Sequence, residues 1–216
     1  MKKVLTIVAS SLFFMSTAYA GVNMGISAVY LDVEASGSQT LKTTNTVTST
    51  SHSDEAVTGE LFIENQDSNG LTLGLAIIPV DAEVGVKTKS RTDKLTSGDV
   101  TGSQKAAAEF SMHTTVYAHV PLGGTGAYLK LGAGFVEVKS TESLVTGAKY
   151  GDETVNFGTV GLGFQRDLDN GMFARLEAAY SDYEEVTLTS TGSDAESKIK
   201  GDIDTWSGKI SFGKSF

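Results

Sequence analysis

The sequence contains no cysteine, so thiol nucleophiles, disulfides and thiolate metal sites are all excluded. Its three histidines leave little material for an imidazole metal centre. Basic residues are also scarce, 17 Lys and Arg against 26 Asp and Glu, and they form no stripe that would meet nucleic-acid phosphates. No run of about eighteen apolar residues occurs anywhere, so a helical membrane span is excluded. Any membrane role must then use strands.

What is abundant is glycine, 24 of 216 residues, together with Ser and Thr. The first twenty residues stand apart: Lys2 and Lys3 precede an apolar run from Val4 to Met15, and Ala18-Tyr19-Ala20 closes the segment. This is the pattern of a secretory signal peptide, with cleavage expected after Ala20. The domain is then 21–216, and without Lys2 and Lys3 its 15 basic residues against 26 acidic ones give a net charge of about -11.

From residue 21 onward the chain alternates with period two in segment after segment, without a sustained helical period. Met24, Ile26, Ala28 and Tyr30 share one face of a first strand; Val57, Gly59, Leu61 and Ile63 do so in a second, and Leu71, Leu73, Leu75 and Ile77 in a third. A fourth strand sets Phe110, Met112, Val116 and Val120 against Glu109, Ser111, His113, Thr115 and His119. Leu129, Leu131, Ala133 and Phe135 follow, then Val160, Leu162 and Phe164, then Ala174, Leu176, Ala178 and Tyr180. The last strand aligns Trp206, Gly208, Ile210, Phe212 and Phe216. Phe62 falls on the polar face in this register, against the pattern.

The connections fall into two kinds. Those at 67–70, 122–126 and 167–171 are short, and those near 34–56, 81–106, 139–153 and 184–202 are long and rich in Ser, Thr and charge. Alternating long and short links between eight strands predict an all-β fold: an eight-stranded antiparallel up-and-down transmembrane β-barrel, with short turns at one end and long loops at the other. A soluble barrel with its apolar face inward alternates equally well. The aromatics favour the membrane reading. Tyr30, Phe110, Phe135, Tyr180 and Trp206 lie toward the long-loop ends, and Phe164, Phe212 and Phe216 toward the short-turn ends, as two interfacial girdles would. The other face carries Glu60, Glu64, Glu109, Lys130, Arg175, Glu177 and Lys209, four acids to three bases, expected to form a charge network that plugs the lumen. Lys209 with Glu177 is the expected pair.

Ile210, Phe212 and the terminal Phe216 alternate to the end of the chain. Together with the hairpin Gly161-Leu162-Gly163-Phe164-Gln165 and Phe173-Ala174-Arg175-Leu176-Glu177-Ala178-Ala179-Tyr180, this resembles the small bacterial outer-membrane β-barrels of the OmpA/OmpX and opacity-protein type. The resemblance implies outer-membrane localisation, short periplasmic turns and extracellular loops. It also implies a terminal Phe read by the barrel-assembly machinery, with outer-membrane lipid and lipopolysaccharide as surroundings. Lys214 departs from the pattern, a cation where an apolar residue is usual, which can snorkel at the interface.

Candidate chemistry is sparse. Glu109, Ser111 and His113 superficially offer a carboxylate, nucleophile and base, but at strand spacing alternate residues stand about 7 Å apart, so lumen filling is the plainer reading and lipid A modification the alternative. Gly158, Gly161 and Gly163 sit within a strand pattern, not before a helix, which removes the nucleotide-loop reading. Asp182, Glu184, Glu185, Asp202 and Asp204 cluster at the last long loop, either as a solvated rim or around a divalent cation. Lys87, Lys89, Arg91, Lys94 and Lys105 form the one basic concentration, which could meet lipopolysaccharide phosphates. The expectation is a non-enzymatic barrel without cofactor or metal, with a structural or surface-interaction role. A narrow porin is the alternative, ahead of a lipid A enzyme or a soluble periplasmic ligand-binding barrel.

Overall fold

A computed structural model describes residues 21–41, 46–95, 98–143, 149–191 and 197–216. The expected signal peptide lies outside these residues. The described residues form ten strands: β1 (Gly21–Leu41), β2 (Thr46–Gln66), β3 (Thr72–Ile78), β4 (Ala82–Leu95), β5 (Gly98–Pro121), β6 (Ala127–Ser143), β7 (Glu153–Asp167), β8 (Met172–Tyr183), β9 (Val186–Thr189) and β10 (Ser197–Ser215). Eight of them close an antiparallel barrel in the order β1-β2-β3-β5-β6-β7-β8-β10, with β10 paired back to β1 from Asn23 and Ser215 to Leu41 and Ser197. At the seam, the Phe216 amide donates to the Val22 carbonyl at 2.9 Å. The remaining two are outer continuations: β4 follows β3 along β5, and β9 follows β8 along β10.

The three short connections are turns at one end. In the last, Asn170 and Gly171 take φ of 62° and 72°, the paired left-handed residues that match a hairpin's twist. In the first, the Asp67 carboxylate accepts from the Asn69 and Leu71 amides, both at 2.9 Å. The long connections differ from the expectation of loops. Their Ser- and Thr-rich stretches continue as paired strand, as in β1 and β2, which stay in register out to Leu41 and Thr46. Threonine is β-branched and suits an extended ladder, so polar composition alone misreads these arms as loop. The basic residues of the second arm lie on β4 and β5, where their side chains fall outside the described residues.

Beyond the closed part the wall divides. β2 pairs with β3 only from Leu61 to Gln66, and above that point no β2–β4 ladder exists among the described residues. The chain between β3 and β4 passes through Pro79, which has no amide hydrogen to give a ladder. The outer end therefore consists of two facing sheets, β4-β5-β6 and β2-β1-β10-β9.

The apolar face points outward. Met24, Ile26, Leu61, Ile63, Leu162, Leu176, Ile210 and Phe212 are all exposed, a continuous band that in water would be a large liability and in lipid is the required surface. Tyr30, Phe135, Tyr180 and Trp206 edge this band at the outer end, the Tyr180 and Trp206 rings 5.2 Å apart. Phe164, Phe212 and Phe216 edge it at the turn end, exposed at 47%, 53% and 68%. Phe110 breaks the expected outer girdle. It is 6% exposed and points inward, because β5 bulges between Ser111 and Thr114, with Met112 at φ 52°. A bulge puts two consecutive residues on one face and reverses the phase of everything before it. Glu109, for the same reason, leaves the lumen and pairs across the ladder with Lys139.

Candidate functional site

The lumen has two storeys. In the lower one, toward the turns, long side chains from six strands meet at the axis. Arg175 on β8 donates both terminal nitrogens to Glu64 on β2, at 2.7 and 2.9 Å, a bidentate pair, and its Nη2 also reaches Gln165 at 2.8 Å. The guanidinium lies 5.1 to 5.6 Å from the rings of Phe173, Phe62 and Tyr128. Tyr117 donates its hydroxyl to the same Glu64 at 2.6 Å. One layer up, Lys130 donates to Glu177 at 2.7 Å and Lys209 to Glu60 at 2.6 Å. The expected Lys209–Glu177 pair is present but looser, at 3.8 Å, although the two are direct partners on the ladder. Tyr128 donates to Glu177 at 3.0 Å, and Ser27 to Glu60 at 3.3 Å. His119 is held between Glu64 and Glu177, with its ring 4.1 Å from Tyr128 and 4.7 Å from Tyr117.

With Glu109 outside, the network holds three carboxylates, Glu60, Glu64 and Glu177, against three cations, Lys130, Arg175 and Lys209. The buried charge closes to zero. That balance is what burial demands, since a single unpaired ion in such a place costs several kcal/mol. The sequence reading missed Tyr117 and Tyr128 as members and left Phe62 without a place. All three share one device. Phe62 faces Gly25 across the ladder, Tyr117 faces Gly74, Tyr128 faces Gly163, Phe157 faces Gly134 and Phe173 faces Gly213. A Cβ on each of these glycines would overlap the ring. The inward aromatics lie flat across a glycine of the neighbouring strand, so the glycine excess is the other half of the lumen's aromatic packing. Phase counted along each strand, plus the hairpin register, would have paired them.

Above this layer His113 shares a hydrogen bond of 3.1 Å with the Tyr183 hydroxyl and stacks on Phe157 at 4.5 Å. A cavity of about 20 Å³ separates these groups from Lys130 and Lys209. That is room for about one water molecule.

The upper storey is different in kind. Val33, Phe110, Val136, Val138, Val155 and Val186 form one buried apolar cluster with Phe157 and Tyr183 as its floor. Above it, between the two outer sheets, is a cavity of about 330 Å³. Its polar lining comes from Thr50, His52 and Asp54 on β2, joined by Ser36 on β1, Ser140 on β6, and Lys200 and Asp202 on β10.

The catalytic trio suggested by Glu109, Ser111 and His113 is dispersed by the bulge. Ser111 lies under Lys139, which donates to its hydroxyl at 2.9 Å, while His113 is inside the barrel with Tyr183. Among the described residues no group of three or more His, Asp or Glu side chains is arranged to hold a metal ion. The acidic rim is instead a collar. On four neighbouring strands, β2, β1, β10 and β8, the outward positions just past the girdle are acids: Glu55 beyond Val57, Asp32 and Glu34 beyond Tyr30, Asp204 and Asp202 beyond Trp206, and Asp182 and Glu184 beyond Tyr180. Glu185 is bound by Lys200 at 2.5 Å, and that hydrogen bond holds its carboxyl below the usual carboxylate range.

No family model matches the sequence, and no curated protein is similar to it in sequence. Solved structures do match in shape. The outer membrane protein OprG from Pseudomonas aeruginosa aligns over 92% of this chain and 96% of its own, with 16% identity and a TM-score of 0.53. The outer membrane protease OmpT from Escherichia coli aligns over 93% and 99%, with 11% identity and a TM-score of 0.52. The outer membrane protein AlkL, solved in lipid bilayers, aligns over 93% and 92%, with 13% identity and a TM-score of 0.51. The chain has the fold of a bacterial outer-membrane β-barrel, closed by eight antiparallel strands and banded on the outside by the apolar surface that such a barrel turns to lipid.

Proposed function

We propose that this is a non-enzymatic outer-membrane barrel, sealed to solutes, whose working face is its extended extracellular end. The observation that carries the reading is the neutral three-acid, three-base network that fills the lower lumen, with only about 20 Å³ left above it. An eight-stranded barrel is just wide enough for side chains to fill, and here long ones fill it. The dispersal of Ser111 and His113 to opposite sides of the wall supports the non-enzymatic part. The aromatic edges and the acidic collar fit an outer-membrane setting among lipid and lipopolysaccharide. The alternation of Ile210, Phe212 and Phe216 fits reading by the barrel-assembly machinery.

Planar-bilayer recording of the purified barrel tests this. The expected trace has no steady channel, and one appears only when the network is opened, as in Glu177→Ala with Lys130→Ala. A steady wild-type conductance that changes when Lys209 or Glu177 is neutralised would sink the sealed reading in favour of a narrow porin.

A further inference from the structure

We propose that a lipid-facing groove over β8 and β10 docks a cationic amphipathic helix lying in the outer membrane interface. The groove is outside the wall, so the proposal is independent of the lumen seal. It has a volume of about 600 Å³, between Tyr30, Leu162, Phe164, Leu176 and Ile210. Its floor is low because Gly208 and Ala178 are direct partners on the ladder, and a Cβ on Gly208 would meet nothing within 4 Å. Ala28 and Gly59, partners on β1 and β2, extend the low ground below Tyr30.

The charge directly above the groove selects its occupant. One register row up from Gly208 stand Asp32, Trp206 and Tyr180, and the next row holds Glu34, Asp204 and Asp182. Glu34 and Asp204 are direct ladder partners, as are Asp204 and Asp182, and like charges placed opposite each other repel. Lys200, further up β10, is held by Glu185, and the basic residues of β4 and β5 lie on the far side of β2 from the groove. A lipopolysaccharide phosphate is repelled by this row, and among the described residues no three acids are arranged to hold a bridging metal ion. A cationic group is attracted.

Depth selects the shape. Two residues of strand rise about 7 Å, so along β10 the groove floor lies that far below Trp206 and the acids that far above it. An interfacial helix is about 10 Å across and sinks its apolar face about 5–10 Å past the headgroups. Lying along the girdle, it sets apolar side chains over Gly208 and Ala178 and basic ones against Asp204 and Asp182. An acyl chain also fills a groove at this depth, but it brings no cation to the acids above.

Trp206 is the one tryptophan of the chain and stands between groove and acids, so it reports docking directly. The test uses the full mature barrel in zwitterionic lipid vesicles, with a synthetic Leu and Lys amphipathic helix carrying a dansyl group, and its Leu and Glu counterpart. Saturable energy transfer from Trp206 is expected with the Lys helix, and binding about tenfold weaker with the Glu helix. Gly208→Leu fills the groove and should weaken the Lys helix about tenfold in a barrel that still folds. Asp204→Asn with Asp182→Asn should bring the two helices within about threefold of each other. Moving the reporter three strands away, by Trp206→Phe with Phe135→Trp on β6, should lose the saturable transfer. Equal binding of the two helices, or an unchanged midpoint in folded Gly208→Leu, would overturn the proposal. So would displacement of the Lys helix by lipopolysaccharide with Mg²⁺, which would give the surface to the lipid. A conducting barrel that still docks the helix refutes the seal alone.

Discussion

The two storeys of the lumen are built by the same strands and the same alternation, but one is charged and full while the other is apolar and hollow. Side-chain length explains the difference. Lys130, Lys209, Arg175, Glu64, Tyr117 and Tyr128 are long enough to reach the axis from opposite walls, and their polar tips hold one another there. Val33, Val138 and Val186 meet in one buried cluster, and the space above them stays open. Long polar residues lock the centre through directional bonds, whereas the short apolar ones only pack. Stability should therefore reside chiefly in the lower storey.

The sharpest way to break that division is Arg175→Leu. It leaves Glu64 buried without its bidentate partner and should cost about 3–5 kcal/mol, measured as a drop in the urea midpoint of the folded barrel in lipid vesicles. Val138→Ala, in the wall of the upper storey, should cost about 1 kcal/mol in the same assay. If the two losses were equal, the charge network would not be what holds the barrel shut.

A smaller effect separates packing from charge. Gly163→Leu pushes its side chain into the Tyr128 ring and displaces the hydroxyl that serves Glu177, for an expected loss of about 1–3 kcal/mol. Adding Tyr128→Ala should recover most of that loss, because the two residues act as one unit. Gly208→Leu is the control. Its Cβ meets nothing within 4 Å, and the change should stay within about 0.5 kcal/mol. Thermal shift of heat-modifiable mobility on a gel reads all three; a non-additive recovery is the signature of the aromatic–glycine pair.

How far this division was legible in the sequence depends on what kind of rule each residue obeys. Alternation alone placed Glu60, Glu64, Lys130, Arg175, Glu177 and Lys209 on one face, and strand phase depends on nothing beyond period two. It misplaced Phe110 and Glu109 because a bulge is a local backbone choice, here Met112 at φ 52°, and nothing in the identity of Met112 announces it. Phe62 looked like a misfit because its explanation, Gly25, is thirty-seven positions away and becomes a neighbour only through the β1–β2 register. The arms read as loops because their Ser and Thr content resembles that of solvated connections, whereas their strand character comes from pairing with each other. The chamber was invisible for the same reason: it lies between two sheets whose facing depends on those arms being strands.

The smallest effect concerns the outermost charges, and it contrasts exposed pairing with the buried pairing below. Lys200 holds the Glu185 carboxyl low in the folded protein. A carboxyl whose folded value is depressed contributes stability above the unfolded carboxylate range and loses it as pH falls through the folded value. Lys200→Ala should therefore remove a slight acid-side loss of stability, visible between neutral and acidic pH at low salt. Both groups are about half exposed, so solvent and ions reach them freely. At roughly 1 M salt, where screening acts over about 3 Å, the difference between Lys200→Ala and wild type should vanish. The penalty of Arg175→Leu should persist, because no ion can enter to replace the missing guanidinium. If both effects faded together with salt, the lower lumen would be wet, and the contrast between a filled storey and a hollow one would fail at its base.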